Sequence, residues 1–556
     1  MSDELDESVA LGTRRRIIPC WWSLAAGVLV GLPTLLTAYP PMGDLPYHEQ
    51  IVGLLARLGD DTFTPQSVYA LNIGHPNQLW YAIAVGLSLL VGATWACKLT
   101  IFASMVAIPL ATASAARRFG RHTWFAALAA PVALGWFYYW GLVTNMLGAS
   151  VLALALPVFD AHTRVRSIRS TTRAAIMLLL LYAAHESALV VGCIAYGVFA
   201  FPHLRAAPKT LAALALPAVM ITTVGVIQLI VQRRFLWGVI GEQMTFPSPW
   251  HRLTLIPGLL FSGHPNEVLA MLSTILAALL FVGVIVDRKR PQQSVRGLGW
   301  RERLSKHRLD VTVALTLVVF FAAPATYHQH TLLYHRFLPL AWLLFVIARA
   351  PRLDGAVRPL VQASAFAVPL GVFFMNWPQF VESQRLYSQL DTLIPQIEIG
   401  QSVYLLETAS RGSRLFPVSS AVGHVLALRG GRTVVDFTDL ATIPLRRRPT
   451  CRWEGTAMRL QRTTVALDHF YADADFLRFR YLLVHAYDPS VHRSLEVHLR
   501  GRAHLRGRTG EWQLFESDQP TLPLCAPDPP IKAGDPTLWF LLSVPDPVRE
   551  ERSLVP

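Results

Sequence analysis

Long apolar blocks bounded by arginine clusters recur along this chain and limit the folds that it can adopt. The sequence is 53% apolar and 15% charged, with a mean hydropathy of +0.38. A helix needs about 20 apolar residues to cross a bilayer, where its backbone must satisfy its own hydrogen bonds. The pattern predicts a polytopic α-helical membrane protein with about eleven transmembrane helices. These blocks are residues 17–39, 97–116, 123–140, 141–160, 174–186, 187–202, 210–231, 267–286, 310–327, 336–349 and 356–375.

Basic residues indicate how these spans are oriented. Arg14 to Arg16 precede the first block, and Arg117, Arg118 and Arg121 follow the second. Because Lys and Arg accumulate in cytoplasmic loops, residues 1–16 and the later basic loops are expected in the cytoplasm. Residues 78–94 must then not cross the bilayer, and we expect them to lie in the outer interface. The first block is too long for a signal-peptide core and is expected to remain as an anchor.

Two neighbouring blocks, 174–186 and 187–202, are short for a bilayer and meet at His185-Glu186-Ser187. They fit either one long tilted span or two short helices with His-Glu-Ser at an outer turn. Basic residues in both flanking loops favour the two helices. Asn145 and Gly148, within the preceding block, are expected to serve close helix packing.

The character of the chain changes after residue 376. Short β-type runs alternate with Gly, Pro and Asp, which predicts a soluble α/β domain at 377–521 and a Pro-rich tail at 522–556. After eleven spans this domain lies outside, together with the first outer loop of the 17–376 membrane module, residues 40–96. Residues 377–556 carry 21 basic and 20 acidic side chains, so nearly all of the net charge of +14 belongs to the membrane part. The basic composition therefore reflects topology and gives no reason to expect a nucleic-acid partner.

The five cysteines form no CxxC pair and no metal-ligand spacing. Cys451 and Cys525 both fall in the outer region, where they are either free or disulfide-bonded. Several acidic and imidazole side chains come from distant segments without ligand spacing, so no metal site is predicted, although a divalent cation stays an alternative. These side chains are Asp44, His48, Glu186, His328, His330 and His335.

The layout of the membrane part resembles the GT-C superfamily, polytopic glycosyltransferases that take a sugar from a polyprenyl-phosphate carrier. The shared features are an acidic residue early in the first outer loop, His75-Pro76-Asn77 before an interfacial helix, and a span ending in Ala116-Arg-Arg-Phe-Gly120. Members often have two adjacent acidic residues in that loop, whereas this chain has Gly43-Asp44-Leu45. The single aspartate of this chain gives no basis for assigning a cofactor.

The resemblance implies that Asp44 is the general base that takes a proton from the acceptor hydroxyl. His48 lies four residues later and could face the same cavity from one helix. Capping of a helix that begins near Pro46 is the alternative role for Asp44. The phosphate of the donor requires cationic partners, and ionisable groups at membrane depth are candidates for substrate binding. The candidate substrate-binding residues are His185, Glu186, Arg233, Arg234, Arg252, His328, His330, His335 and Arg336.

Two functions remain open from the sequence. The first is an integral membrane glycosyltransferase that moves a sugar from a polyprenyl-phosphate donor to a glycan, lipid or protein acceptor on the extracytoplasmic face. The second is a noncatalytic GT-C-like scaffold or lipid-handling component of envelope polysaccharide assembly. Replacement of Asp44 by Asn separates them, because Asn is nearly as good a helix cap but cannot act as a base.

Overall fold

The structure is a computed structural model with a bundle of apolar helices at its centre. It describes residues 21–203, 208–233, 245–261, 299–326, 332–349, 357–407, 420–434, 437–440, 442–448, 451, 472–523 and 525. The helices of the membrane part are α1 (Trp21–Leu36), α2 (Leu45–Ala56), α3 (Leu79–Val91), α4 (Ala93–Arg118), α5 (Val143–Val165), α6 (Ile168–Ala184), α7 (Glu186–Ala200), α8 (Pro208–Arg233), α9 (Trp300–Ala322), α10 (Phe337–Arg349) and α11 (Val357–Tyr387).

Three helical segments in the described part are long and apolar enough to cross a bilayer: Ala93–Arg118, Val143–Val165 and Glu186–His203. Shorter apolar helices include α1 and α3. At about 1.5 Å per residue the 13 residues of α3 extend about 20 Å, which is too short for a bilayer core. The predicted span at 267–286 lies outside the described residues, and the total of eleven spans stays a prediction.

One predicted span, residues 123–140, is not a continuous helix. The chain forms three short helices there, Trp124–Ala129, Ala130–Leu134 and Trp136–Tyr139. Gly135 leaves the helical conformation, with φ −85° and ψ −141°. A Cβ at this position would lie 3.0 Å from the carbonyl oxygen of Leu260, so the break lets two backbones approach closely.

The chain reverses direction at His185, between α6 and α7. His185 has extended backbone angles, φ −167° and ψ 137°. A Cβ on Gly192 would lie 2.5 Å from Cδ1 of Leu181, whereas eleven residues of straight helix would extend about 16 Å. Of the two arrangements compatible with the sequence, the structure therefore has the pair of short helices.

Ion pairs join the basic helix ends at one end of the bundle. Asp160 on α5 is 2.7 Å from Arg308 on α9, and Asp310 on α9 is 2.8 Å from Arg349 at the end of α10. Both distances join a guanidinium nitrogen to a carboxylate oxygen. These ion pairs hold α5, α9 and α10 together at this end of the bundle.

The chain after α11 contains a four-stranded mixed sheet in the order β2-β4-β6-β5. Strands β2 and β4 pair in parallel, and the other neighbouring pairs are antiparallel. The bounds are β2 (Val403–Glu407), β4 (Tyr481–His485), β5 (Ala503–Thr509) and β6 (Trp512–Ser517), with helices α12 (Val422–Arg429) and α13 (Pro489–His498).

The C-terminal part contacts the first outer loop directly. Strand β1 (Tyr69–Leu71) of that loop pairs antiparallel with β3 (Leu445–Arg447). Cys451, which follows β3, forms a disulfide with Cys525. The first outer loop and the C-terminal part therefore form one layer on the same end of the bundle.

Candidate active site

Asp44 occupies the N-cap position of α2, with Pro46 in the first turn. Its side chain accepts no capping hydrogen bond, and its backbone is helical, with φ −95° and ψ −4°. The N–H of the preceding Gly43 donates to the carbonyl oxygen of Tyr139 at 2.7 Å. A Cβ on Gly141, whose φ is +75°, would lie 2.8 Å from Cβ of Asp44. The Gly141 turn therefore packs directly against Asp44, and its left-handed backbone requires glycine.

The environment of Asp44 favours the neutral carboxyl group. Burial raises its pKa from the ordinary 3.8 to about 7, although the nearby charge of Arg336 opposes this rise. The side chain is only partly exposed. A carboxyl group with a pKa near 7 is partly ionised at neutral pH.

Arg336 ends a short helical turn, Tyr334–Arg336, that leads into α10. Its side chain is 13% exposed, and its Nη1 lies 3.7 Å from Oε1 of Glu186 and 3.3 Å from Nε2 of His185. Asp44, Arg336 and the His185-Glu186 pair thus come together from three separate segments. These residues, all predicted from the sequence, form the candidate active site.

His185 lies between the start of α7 and Arg336. Its Nδ1 accepts the backbone N–H of Ser187 at 3.0 Å and caps α7. Its Nε2 lies 3.3 Å from Nη1 of Arg336, and a guanidinium N–H can only donate a hydrogen bond. Arg336 is therefore the cationic donor of this pair, and His185 helps to hold it in place. A guanidinium suits the oxygen atoms of a phosphate.

Two asparagines support the turn between α6 and α7. Asn77, with φ 68°, accepts the N–H of Glu186 through Oδ1 at 3.0 Å, and Asn145 donates from Nδ2 to Oγ of Ser187 at 3.1 Å. A Cβ on Gly148 would lie 2.8 Å from Cβ of His185, as expected for close helix packing. Sequence reasoning did not assign either asparagine to the site. The positions of Asn77 within His-Pro-Asn and Asn145 at a helix start were the available signals.

The imidazole of His48 is held between α3 and the Gly141 turn. Its Nδ1 is 2.6 Å from the hydroxyl of Tyr81, and its Nε2 is 2.9 Å from the carbonyl oxygen of Gly141. Burial lowers the pKa of its imidazole to about 4, so the ring is neutral at pH 7. His48 connects α2 to α3 and holds the Gly141 turn against Asp44.

Arg252 and His335 lie beside the Arg336 turn. Arg252 is buried, and its Nη1 donates to the carbonyl oxygen of Phe320 at 2.5 Å. Its guanidinium carbon is 4.4 Å from the ring centroid of Tyr334. The ring of His335 stacks on Tyr334 at 3.8 Å and on Trp136 at 5.1 Å between centroids. Both residues therefore support the turn that carries Arg336.

The remaining predicted binding residues cannot be placed at the site. Arg233 ends α8, and its side chain is outside the described residues, as are Arg234, His328 and His330. Among the residues that the structure describes, no group of three or more His, Cys, Asp or Glu side chains is arranged to hold a metal ion.

The sequence matches no protein-family model and no curated protein. Its fold, however, is similar to that of ArnT from Cupriavidus metallidurans, a GT-C glycosyltransferase. The ArnT structure bound to undecaprenyl phosphate superposes with a TM-score of 0.53 and 12% identity, over 89% of this chain and 97% of ArnT. The apo structure gives a TM-score of 0.54 and 14% identity over the same shares. At this identity the likeness shows a shared fold alone and leaves the reaction to the site.

Proposed function

We propose that this chain, which has the GT-C fold, is a membrane glycosyltransferase that moves a sugar from a polyprenyl-phosphate donor to an acceptor on the extracytoplasmic face. The observation that carries this proposal is the partly buried, uncapped carboxyl group of Asp44 near the charge of Arg336. The undecaprenyl phosphate bound to ArnT supports the donor class. The proposed acceptor is a glycan, a lipid or a protein.

Asp44 acts as the general base in this proposal. Its carboxylate takes the proton of the acceptor hydroxyl while the acceptor oxygen bonds to the anomeric carbon of the sugar. The bond between that carbon and the phosphate oxygen breaks on the opposite face, and polyprenyl phosphate leaves with the electron pair. A pKa of about 7 suits this role, because the base is partly ionised at neutral pH and still binds a proton well.

Arg336, which His185 contacts at 3.3 Å, stabilises the charge that develops on the leaving phosphate. Preorganised donors directed at developing charge contribute strongly to catalysis, because they need no reorientation during the reaction. Glu186 holds the guanidinium of Arg336 from one side. Asn77 and Asn145 hold the turn that carries His185 and Glu186. Arg233, Arg234, His328 and His330 remain candidates for further contacts to the lipid-linked sugar.

The extracytoplasmic position of the site is supported by charge and by cysteine chemistry. The basic helix ends joined by Asp160 and Asp310 are expected in the cytoplasm. The disulfide between Cys451 and Cys525 belongs in an oxidising compartment. We propose eleven spans, with the N-terminus in the cytoplasm and the domain of residues 377–521 outside the inner or plasma membrane.

The noncatalytic alternative explains Asp44 as a helix cap, and the geometry does not favour that explanation. The Asp44 side chain makes no capping bond. In contrast, Asp488 is followed by a proline at the start of α13 and accepts the N–H of Ser490 at 2.8 Å. The chain thus contains a true capping aspartate with which Asp44 can be compared.

The decisive experiment compares turnover by wild type, Asp44→Asn and Asp488→Asn in lipid, with a panel of radiolabelled polyprenyl-phosphate sugars. We expect Asp44→Asn to lose about 10²–10⁴-fold in kcat, the usual contribution of a general base, at an unchanged folded fraction. Asp488→Asn should retain wild-type turnover, because Asn caps a helix as well as Asp. Wild type that turns over no donor, or turnover that survives in Asp44→Asn, would overturn the proposal.

A further inference from the structure

Glu49 is a buried carboxylate on α2 that the proposed chemistry does not use. Its side chain is 0% exposed, and it forms a hydrogen bond with Nδ1 of His424, which is 5% exposed and belongs to α12 of the C-terminal part. Burial of such a pair is costly unless its geometry is well defined. The pair therefore places a strong restraint between two regions that are 375 residues apart in sequence.

Groups from several elements surround this pair. The rings of Tyr39 and Tyr387 pack edge-on against His424, at centroid distances of 5.0 and 5.5 Å. The charge of Lys98 on α4 interacts with Glu49. Glu49 thus lies where a membrane helix, the first outer loop and the C-terminal part meet.

Helices α2 and α12 pack against each other, each through one face. A Cβ on Gly53 would lie 2.7 Å from the carbonyl oxygen of Ala427, and a Cβ on Gly423 would lie 2.4 Å from the carbonyl oxygen of Pro46. Pro46, Glu49 and Gly53 are spaced by three and four residues, so they share a face of α2. Pro46 is two residues after Asp44, so this contact begins beside the candidate base.

We propose that Glu49 and His424 are positioning residues through which the C-terminal part holds Asp44 in place. This inference rests on the proposed function. The glycine contacts set the distance between α2 and α12, and the Glu49–His424 pair fixes how α2 is rotated about its own axis. Since Asp44 is at the N-terminus of α2, a rotation or shift of this helix moves the carboxyl group relative to Arg336. The C-terminal part thereby contributes to catalysis without touching the reacting atoms.

The test uses the full chain in lipid with Glu49→Gln, His424→Gln and the double variant. Glu511→Gln is the matched control, because Glu511 also pairs with a buried histidine, His485, at 3.2 Å in the same C-terminal part. Hydrogen exchange of the amides of residues 45–56, kcat and KM are measured for each variant, together with thermal unfolding.

We expect both single variants to speed exchange in α2 and to lower kcat by about 100-fold, the effect of a misplacement of about 1 Å, with little change in KM. The double variant should lose no more than either single variant, because both substitutions break the same contact. Glu511→Gln should leave exchange in α2 and kcat unchanged.

Four results would overturn the inference: unchanged exchange in α2, unchanged kcat in the Glu49 and His424 variants, additive losses in the double variant, or an equal loss of kcat in Glu511→Gln. Its failure is distinguishable from failure of the proposed function. If wild type turns over no donor, the proposed function fails, and exchange in α2 still decides whether the pair holds this helix. If wild type turns over donor but the Glu49 and His424 variants match it, only the positioning role fails.

Discussion

Turnover should rise with pH through neutrality, because only the ionised carboxylate of Asp44 can accept a proton. Its pKa is raised to about 7. The ionised fraction is therefore about 10% at pH 6 and about 90% at pH 8, which predicts a rise of about tenfold in kcat/KM. An aspartate with an ordinary pKa would be almost fully ionised throughout this range. Its kcat/KM would be flat within about 1%.

The assay measures initial rates at subsaturating donor from pH 5.5 to 8.5, with the protein in lipid at constant ionic strength. The donor phosphodiester does not titrate in this range, so a midpoint near 7 reports on the protein. Thermal unfolding at each pH checks that the folded fraction is constant.

Replacement of Arg336 by Gln provides an internal test of the assignment. The charge of Arg336 lowers the pKa of Asp44, so its removal should move the midpoint to higher pH. We expect a shift of about one unit, equivalent to 1.36 kcal/mol. A wild-type profile without a midpoint between pH 6 and 8, or a shift to lower pH in Arg336→Gln, would refute the reasoning.

Asp44→Asn should be about 2 kcal/mol more stable than wild type at pH 8 and equal to it at pH 4. The pKa of the Asp44 carboxyl is higher in the folded than in the unfolded protein, so wild type loses stability as the pH rises from about 4 to about 7. The full pKa difference is equivalent to about 4 kcal/mol, and we halve this value because the side chain is in partial contact with water. Thermal unfolding at both pH values measures this. Gly141→Ala should lower both Tm and kcat, because the φ of Gly141 is +75° and the new Cβ would contact Asp44. Gly86→Ala is the control and should lower neither, because its new Cβ would lie in open space. Cys525→Ser should cost about 4 kcal/mol by opening the 74-residue loop to Cys451, as measured by denaturant unfolding of the C-terminal part.

Much of the helical architecture could be predicted, because a bilayer imposes a simple rule on sequence. Spans show as apolar blocks, and basic residues mark one side. The 97–116 block lies within α4, all but the first two residues of the 141–160 block lie within α5, and His185 is at the break between two short helices. At 123–140 the rule did not reveal the break in the helix, because hydropathy does not register that Gly135 lets another backbone approach.

The candidate site could be predicted only in part. Asp44 was identifiable from the resemblance in the first outer loop, and His185, Glu186 and Arg336 were identifiable because ionisable groups near membrane depth are costly without a purpose. The support for this site was harder to see. The side chain of Asn77 accepts a hydrogen bond from the backbone N–H of Glu186, which is 109 residues later in the sequence, and no local pattern indicates such a contact.

The sequence by itself determined that the chain is a membrane helical protein and which residues were candidates for its chemistry. Hydropathy and charge are properties of each segment, and the bilayer acts on each segment separately. The tertiary structure alone decided that Asp44 is uncapped, that Arg336 approaches Glu186, and that Glu49 meets His424. These facts depend on packing between residues far apart in the chain, where contact is set by the shape of the whole fold.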